Sequence, residues 1–470
     1  TGEGLPSRAV LPERLVPFLP GLVGNDLLEK EKKRWANEGQ PTHQRPKGVT
    51  HGSNIALAED WTDPLKGYKY DSFNPDALLN LASVKNGKVV LSTGMEYSVL
   101  VFPGNRKMNP NADRVSLAVL KKMLELVEAG ATIMVDEKPV GSPSLVLDKS
   151  EFEQYEKIVQ KLWKGYKPNH SKGQNEWTVG KGKVVQLPYM EGTLKELGIV
   201  PDVMTTEVGS ERNHGIAWNH RSAGEEDVYF ISNQLEEKRQ MDWSFRVSGK
   251  IPRIYDPVKD EYREVNTWEI KDGKTVLPLT LEKNESLFVI FEKKTSEKAV
   301  SKGKNHREFL PFQEIKGSWK VQFDPEFKGP EAVQQWDVLT DWIQNPNPDI
   351  QHYSGTASYQ TQFQLDEFPK EGLWLNLGEV NYLAEVIVNG ENCGVAWTYP
   401  FTLDISKAVK KGNNDLTIKI TNTWANRIIG DINKPESERL TWSVADLSRI
   451  KNNPLMPSGL IGPVRIEKEK

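Results

Sequence analysis

The spacing of apolar residues changes twice along the chain. Residues 1–66 have no strong period: a proline-broken apolar stretch, LPERLVPFLPGL, runs into a charged polar one. This reads as the loop-rich edge of a larger unit. From 67 to 205, continuous apolar runs alternate with helical spacing. Tyr97–Pro103 (YSVLVFP) is apolar throughout and stopped by Pro-Gly, as in a parallel strand buried on both faces. Leu117, Leu120, Leu124 and Val127 then share one helix face. Asp113 is the expected N-cap and Gly130 the expected stop. Ala131–Val135 and Lys183–Pro188 are the next strands, and Ser150 with Glu153 spells a capping box before another helix. The pattern predicts a three-layer α/β domain with a parallel sheet.

Between 206 and 295 the helical period disappears. Short β segments such as DVYFISNQ, WSFRVSG and SLFVIF are separated by turn residues, predicting a small antiparallel β domain. Residues 296–308 are lysine-rich and poor in apolar side chains, so a linker is expected there. From 309 to 470 strict alternation returns. Ala357, Tyr359, Thr361, Phe363 and Leu365 face one way, and Leu416, Ile418 and Ile420 repeat the period. Glu385–Ile405 carries an Asn389-Gly390 hairpin signal and the aromatic residues Trp397, Tyr399 and Phe401. Its features are explained by folding without a ligand.

Composition narrows the function classes. At ~100–200 residues per domain, 470 residues suggest about three domains. With 61 basic and 65 acidic residues, the balance predicts no nucleic-acid partner. No apolar run approaches the ~18 residues of a membrane span. Cys393, the one cysteine, excludes an internal disulfide. Thr1 is not a methionine and no export segment is present, so trimming from a longer chain is expected.

Chemistry-bearing motifs are sparse. No GxGxxG, no P-loop, no GxSxG elbow and no calcium-loop pattern occurs. The seven histidines form no metal-ligand spacing, so no metal site is expected in this chain. No pair of carboxylates stands out as a glycosidase acid and base, so catalytic residues stay unknown. His220-Arg221, just before a strand, is a candidate for a domain interface or cleft rim, with ordinary hydrogen bonding as the plainer reading. TNTWANRIIGD places Trp424, Asn426 and Arg427 where a strand gives way to a loop. An indole can stack on a sugar ring while amide and guanidinium groups grip hydroxyls. The competing expectation is that they tie the loop to the sandwich.

Longer stretches carry a family resemblance. YSGTASYQTQF, LGEVNYLAEVIVNGENCGVAWTYPFTLDI, GNNDLTIKITNTWANRIIGD and MPSGLIGPVRIE resemble the galactose-binding-like jelly roll of family 2 glycosidases. Upstream, GYKYDSFNPDALLNLASVKNGKVVLSTGMEYSVLVFP, IAWNHRSAGEEDVYFISNQ and FRVSGKIPRIYDPVKDEYREV resemble family-106 α-L-rhamnosidases. The resemblance covers about Gly67 to the C-terminus and, weakly, Thr1–Leu22. It implies an amidotransferase-like α/β domain without the nucleophile, a small β domain and a C-terminal jelly-roll sandwich. It also implies hydrolysis of terminal α-L-rhamnosyl bonds in glycans, with inversion, by two carboxylates and a calcium ion in an N-terminal (β/α)₈ barrel. That barrel is expected upstream of this chain, residues 1–66 being its remnant, so no catalytic residue or cofactor is assigned here. An extracytoplasmic bacterial location follows from the same resemblance. The alternative is a stand-alone carbohydrate-binding or structural protein without catalysis.

Overall fold

The computed structural model describes residues 67–470 apart from 72–73, 103–112, 136, 144–146, 169–174, 187–190, 210–214, 370–371, 433 and 443–452. The expectation for 1–66 lies outside the described residues. Two compact units form. One holds the described residues up to Leu281 together with Ser286–Gly303; the other holds Glu282–Glu285 and Lys304–Lys470.

The first unit opens with an α/β part. Helix α1 (Pro75–Leu81) is capped by the Asn74 side chain and leads into the meander β1 (Ala82–Lys85), β2 (Lys88–Leu91) and β3 (Glu96–Tyr97). The β1–β2 turn is Asn86-Gly87, both at positive φ, the geometry a two-residue hairpin demands. A second sheet has the order β4 (Leu100–Phe102), β5 (Thr132–Val135), β7 (Gly182–Gln186), β6 (Asn175–Val179). Its faces divide residue by residue. Ile133, Val135 and Val184 join the core with helices α2 (Leu117–Ala129) and α3 (Lys149–Leu162), while Met134 and Val185 meet Tyr68 and Leu194 on the other side. This is the doubly buried sheet expected from the continuous apolar runs.

Three details differ from the sequence expectation. β4, β5 and β7 are parallel, but β6 is antiparallel to β7, because Gly180-Lys181 between them is too short for a crossover. Ser116, not Asp113, caps α2, its hydroxyl accepting from the Val119 N–H. The chain at 113–114 is still extended: the Asp113 carbonyl accepts from the Val140 N–H, and Arg114 bridges to Gly141. The capping box of α3 is Asp148 with Glu151, two residues earlier than Ser150 and Glu153. Gly130 does end α2, at φ 125°.

The rest of this unit is a sandwich of two five-stranded antiparallel sheets. One has the order β13 (Glu261–Glu264), β12 (Lys250–Asp256), β16 (Ser286–Lys294), β10 (Glu226–Asn233), β9 (Ile216–Ala223). The other runs β17 (Ala299–Ser301), β14 (Thr267–Lys271), β15 (Lys274–Leu281), β11 (Arg239–Phe245), β8 (Val203–Glu207). Trp243, Phe245, Leu277, Val289 and Phe291 fill the space between them. β8 pairs with β11 and so extends the sandwich upstream of 206. β17 lies inside the segment read as a linker and pairs with β14. Backbone pairing places it there: its pattern carries no apolar period, but Lys302 N–H also reaches the Asn266 carbonyl and Thr267 Oγ1 the Gly303 carbonyl.

The second unit packs a six-stranded sheet and a four-stranded one. The first has the order β20 (Gln334–Trp336), β19 (Trp319–Phe323), β21 (Thr356–Leu365), β27 (Gly412–Thr421), β24 (Leu383–Val388), β25 (Glu391–Ala396). The second runs β18 (Phe309–Glu314), β29 (Arg465–Glu469), β22 (Trp374–Asn376), β26 (Thr402–Asp404). A short pair, β23 (Glu379–Asn381) with β28 (Gly459–Gly462), sits beside them. The alternation reads true: Ala357, Tyr359, Phe363 and Leu365 are buried, as are Leu416, Ile418, Ile420, Ala384, Val386 and Val388. Asn389 and Gly390 both take positive φ in the β24–β25 turn. The first and last strands, β18 and β29, are partners, and Glu308 beside them pairs with Lys304 and Lys470. The hydrogen bond and charge of Lys304, then those of Lys470, hold the Glu308 carboxyl down at about 2.

Candidate functional site

The loops at one end of the second sandwich gather the residues singled out in TNTWANRIIGD. β27 ends at Thr421, and helix α4 (Ala425–Ile432) begins four residues later. This sharp entry separates side chains that are neighbours in sequence. Trp424, just before the helix, is 54% exposed, whereas Asn426 is 1% and Arg427 4% exposed. Asn426 Nδ2 donates to the Met456 carbonyl at 2.7 Å and Ser458 Oγ at 3.1 Å, and its Oδ1 accepts from the Met456 N–H at 2.7 Å. Arg427 Nη2 donates to the Phe327 carbonyl at 3.3 Å, and its backbone N–H to Ser354 Oγ at 3.1 Å. The expectation that Asn426 and Arg427 bind sugar therefore gives way: both are spent holding loops together. Of the three, only Trp424 faces solvent, tilted 59° against Phe327 at a ring separation of 6.0 Å.

Sequence reasoning missed most of the frame behind them. Asn422 accepts from the Gly355 N–H and donates to the Tyr353 carbonyl and Ser458 Oγ. Asp341 Oδ1 accepts from the Ser458 and Ile343 N–H groups. Trp342, fully buried, donates from Nε1 to Tyr359 Oη at 2.6 Å. Asp431 closes the far end of α4. Burial works to raise its carboxyl, but hydrogen bonds from Thr441 Oγ1, from the Leu440 and Thr441 N–H groups and from Lys434 hold it below the ordinary value. No short motif marks this frame, because its members span more than a hundred residues of sequence. If Asn426 is a strut, Asn426→Ala strands the Met456 N–H and carbonyl. It should cost roughly 2–3 kcal/mol, measured as a fall in the denaturation midpoint of the second unit. A loss under ~0.5 kcal/mol would remove the strut role.

His220 and Arg221 sit on β9 in the first unit. His220 Nδ1 lies 2.8 Å from Asp202 Oδ2, and Nε2 lies 3.1 Å from Asp227 Oδ1. Its ring stacks on Tyr229 at 4.0 Å, and Tyr229 Oη donates to Asp202 Oδ1. Lys250 Nζ reaches Asp227 Oδ2 at 2.7 Å, and Arg246 Nη2 reaches Asp202 Oδ1 at 3.3 Å. Ser222 Oγ stands 3.4 Å from His220 Nε2, so serine, histidine and aspartate are in the order of a hydrolytic triad. Two contacts deny that role. Asp227 occupies the nitrogen that would take the serine proton, and Ser222 donates at 3.0 Å to Asp227 instead. The cluster ties Asp202, which leads into β8, to β9 and β10 of the opposite sheet. Arg221 is exposed, its guanidinium turned back on Asn219 Oδ1 and the His220 carbonyl.

For both aspartates burial pushes the pKa up, and it is overcome: at Asp202 by His220 and Arg246, at Asp227 chiefly by Lys250, Ser222 and His220. Each is held below its ordinary value. A depressed carboxylate contributes stability that is complete above the unfolded value of ~4 and lost as pH falls through the lower folded value. The first unit's melting temperature should therefore hold from pH 6 to about 4 and drop below that. Asp202→Asn should lower it at pH 6 and flatten the acid limb; an unchanged slope would exclude Asp202 from acid unfolding.

Among the described residues no group of three or more His, Cys, Asp or Glu side chains gathers as metal ligands. No described helix is long and apolar enough to cross a membrane.

The chain joins an α/β part, an antiparallel sandwich and a second sandwich in this order. Comparison with known proteins finds likenesses in both units. Residues 50–270 match the family model described as alpha-L-rhamnosidase, and residues 332–449 match the glycosyl hydrolase 2 galactose-binding domain-like model. The solved rhamnosidase from Novosphingobium sp. PP1Y is similar over 86% of this chain, at 31% identity and a TM-score of 0.73, and this covers 36% of that protein. A curated protein of Formosa agariphila named "Putative beta-glucuronidase" is 36% identical over 181 residues, 32% of this chain and 15% of its own length. The chain thus spans about a third or less of the relatives it matches.

Proposed function

We propose that this chain is an accessory region of a glycoside hydrolase that cleaves terminal α-L-rhamnosyl bonds in glycans. The carboxylates that cleave the bond, and the calcium of the resembling family, belong in this reading to a barrel carried elsewhere in the enzyme. The two units described here would brace that barrel, and an extracytoplasmic location would bring the enzyme to its glycans. The observation that carries the reading is the similarity to the rhamnosidase over 86% of this chain but only 36% of that one. The half-buried His220 cluster supports it further, since the most triad-like group among the described residues is built as a tie.

The test is hydrolysis of an aryl α-L-rhamnoside by this chain and by the natural gene product that contains it. The expected result is no aryl release above buffer from the chain and steady turnover from the whole protein. Turnover by the chain alone would overturn the accessory role. No turnover by the whole protein on any aryl α-L-rhamnoside would overturn the substrate class.

A further inference from the structure

The Phe327–Trp424 pair is mounted in a way that core packing does not require. Phe327 ends a 3₁₀ turn (Pro325–Phe327) capped by the Asp324 side chain, and its carbonyl is gripped by the buried Arg427 guanidinium. Trp424 is fixed from the other side. The Ile428 N–H donates to its carbonyl, and Asn422 and Asn426 pin the flanking backbone. Asn426 and Arg427 are thus buried and hydrogen-bonded, and two aromatic rings are left outside, 42% and 54% exposed. At 59° to each other they offer a stacking face and a side wall. Two rings are far smaller than the ~800 Å² per partner of a stable protein interface, but they suit a single pyranose. An indole face takes the C–H side of a sugar ring, and a phenyl wall favours a methyl over a hydroxymethyl group. Rigid backing also removes the ordering cost that weakens binding by mobile side chains.

We propose that Phe327 and Trp424 form a stacking site for a 6-deoxyhexopyranosyl residue, the rhamnosyl unit of a neutral glycan. This rests on the glycosidase reading above and gives it a ligand-holding place outside the catalytic barrel. The site lies within the segment that matches the galactose-binding domain-like model on its Trp424 side. Trp424 is the indole that stacks; Phe327 is the wall that selects.

Saturation-transfer NMR tests it, with methyl α-L-rhamnopyranoside as probe and methyl α-D-galactopyranoside as comparison. The wild-type chain should transfer saturation to the rhamnoside more strongly than to the galactoside. Trp424→Ala and Phe327→Ala should each weaken apparent binding about tenfold or more. Trp397→Ala, which removes an indole of equal exposure from the β25–β26 connection, should leave binding unchanged. Melting curves of the two test variants close to wild type would separate lost stacking from lost folding. No transfer to either sugar, transfer that survives both test variants, or equal transfer to the galactoside overturns the proposal. Aryl rhamnoside hydrolysis by the natural gene product, run alongside, keeps the two readings apart. Turnover without binding to this chain sinks the stacking site alone; absent turnover sinks the substrate class.

Discussion

Arg239→Ala should destabilise the first unit by about 3–5 kcal/mol, the usual cost of breaking one side of a buried ion pair. Arg239 Nε and Nη2 meet the two oxygens of Glu207 at 2.9 and 3.0 Å, and Nη1 meets the Gly215 carbonyl at 3.3 Å. The two side chains are only 1% and 7% exposed. The cost comes mostly from Glu207, left buried beside Met241 on the neighbouring strand without the guanidinium that paired it. Two comparisons make the mechanism visible. Arg239→Met, which restores bulk but not charge, should recover little of the loss. The double change Arg239→Met with Glu207→Leu should recover most of it, because nothing charged is then buried. Urea denaturation of the first unit reads all three. A single-variant loss below ~1 kcal/mol would mean that water reaches Glu207 and that the pair does not anchor β8.

Trp342→Ala should cost the second unit ~3–5 kcal/mol, as large-to-small changes of buried tryptophan do. Trp342 is fully buried, makes edge contacts with Phe323 and Tyr353, and donates to Tyr359 Oη. Its indole also fills the space above Gly459: a Cβ there would lie 2.4 Å from Trp342 Nε1. The damage should reach past the cavity. The indole packs on Gly459, next to Ser458. The Ser458 carbonyl accepts from the Trp342 backbone N–H, which the variant keeps, but the Ser458 hydroxyl that accepts from Asn422 and Asn426 loses the packing beside it. Sugar affinity should fall in Trp342→Ala at temperatures where the unit is still folded, although Trp342 touches no solvent. Trp342→Phe separates shape from hydrogen bonding: it should cost ~1–3 kcal/mol, chiefly for Tyr359 Oη losing its donor. Full affinity in a folded Trp342→Ala chain would disconnect this frame from the loops it supports.

Much of the fold was legible because burial leaves a period. The strands around Tyr359 and Ile418 alternate, the α2 stripe repeats at helical spacing, and Asn389-Gly390 can hardly be anything but a turn. The misplaced caps at α2 and α3 show the limit of such reading. Several residues near each start had cap chemistry, and extended pairing at Arg114 and Gly141 decided which one was used. β17 was illegible for a related reason: its place depends on backbone donors and acceptors, which every residue has. The site was half legible. Trp424, Asn426 and Arg427 look like one polar-aromatic group in sequence, but entry into a helix turns each residue ~100° from the last. One indole went outward, and the amide and guanidinium went into the frame. The groups that hold them, Ser354 and Ser458, with Asp341 behind Ser458, come from distant loops and carry no local signature. His220 is a tie between the two sheets of the first sandwich, and only the three-dimensional arrangement showed a second carboxylate at its other nitrogen.

The pairing of β18 with β29 has a consequence for how such a chain is assembled in evolution. A sandwich whose first and last strands lie side by side has its entrance and exit at one corner, sealed by Glu308, Lys304 and Lys470. Nothing in its ladder is cut when it is spliced after one protein or another. Such an arrangement suits a unit joined to others end to end, and this chain carries two family-model matches in succession, alpha-L-rhamnosidase upstream and glycosyl hydrolase 2 galactose-binding domain-like in the last sandwich.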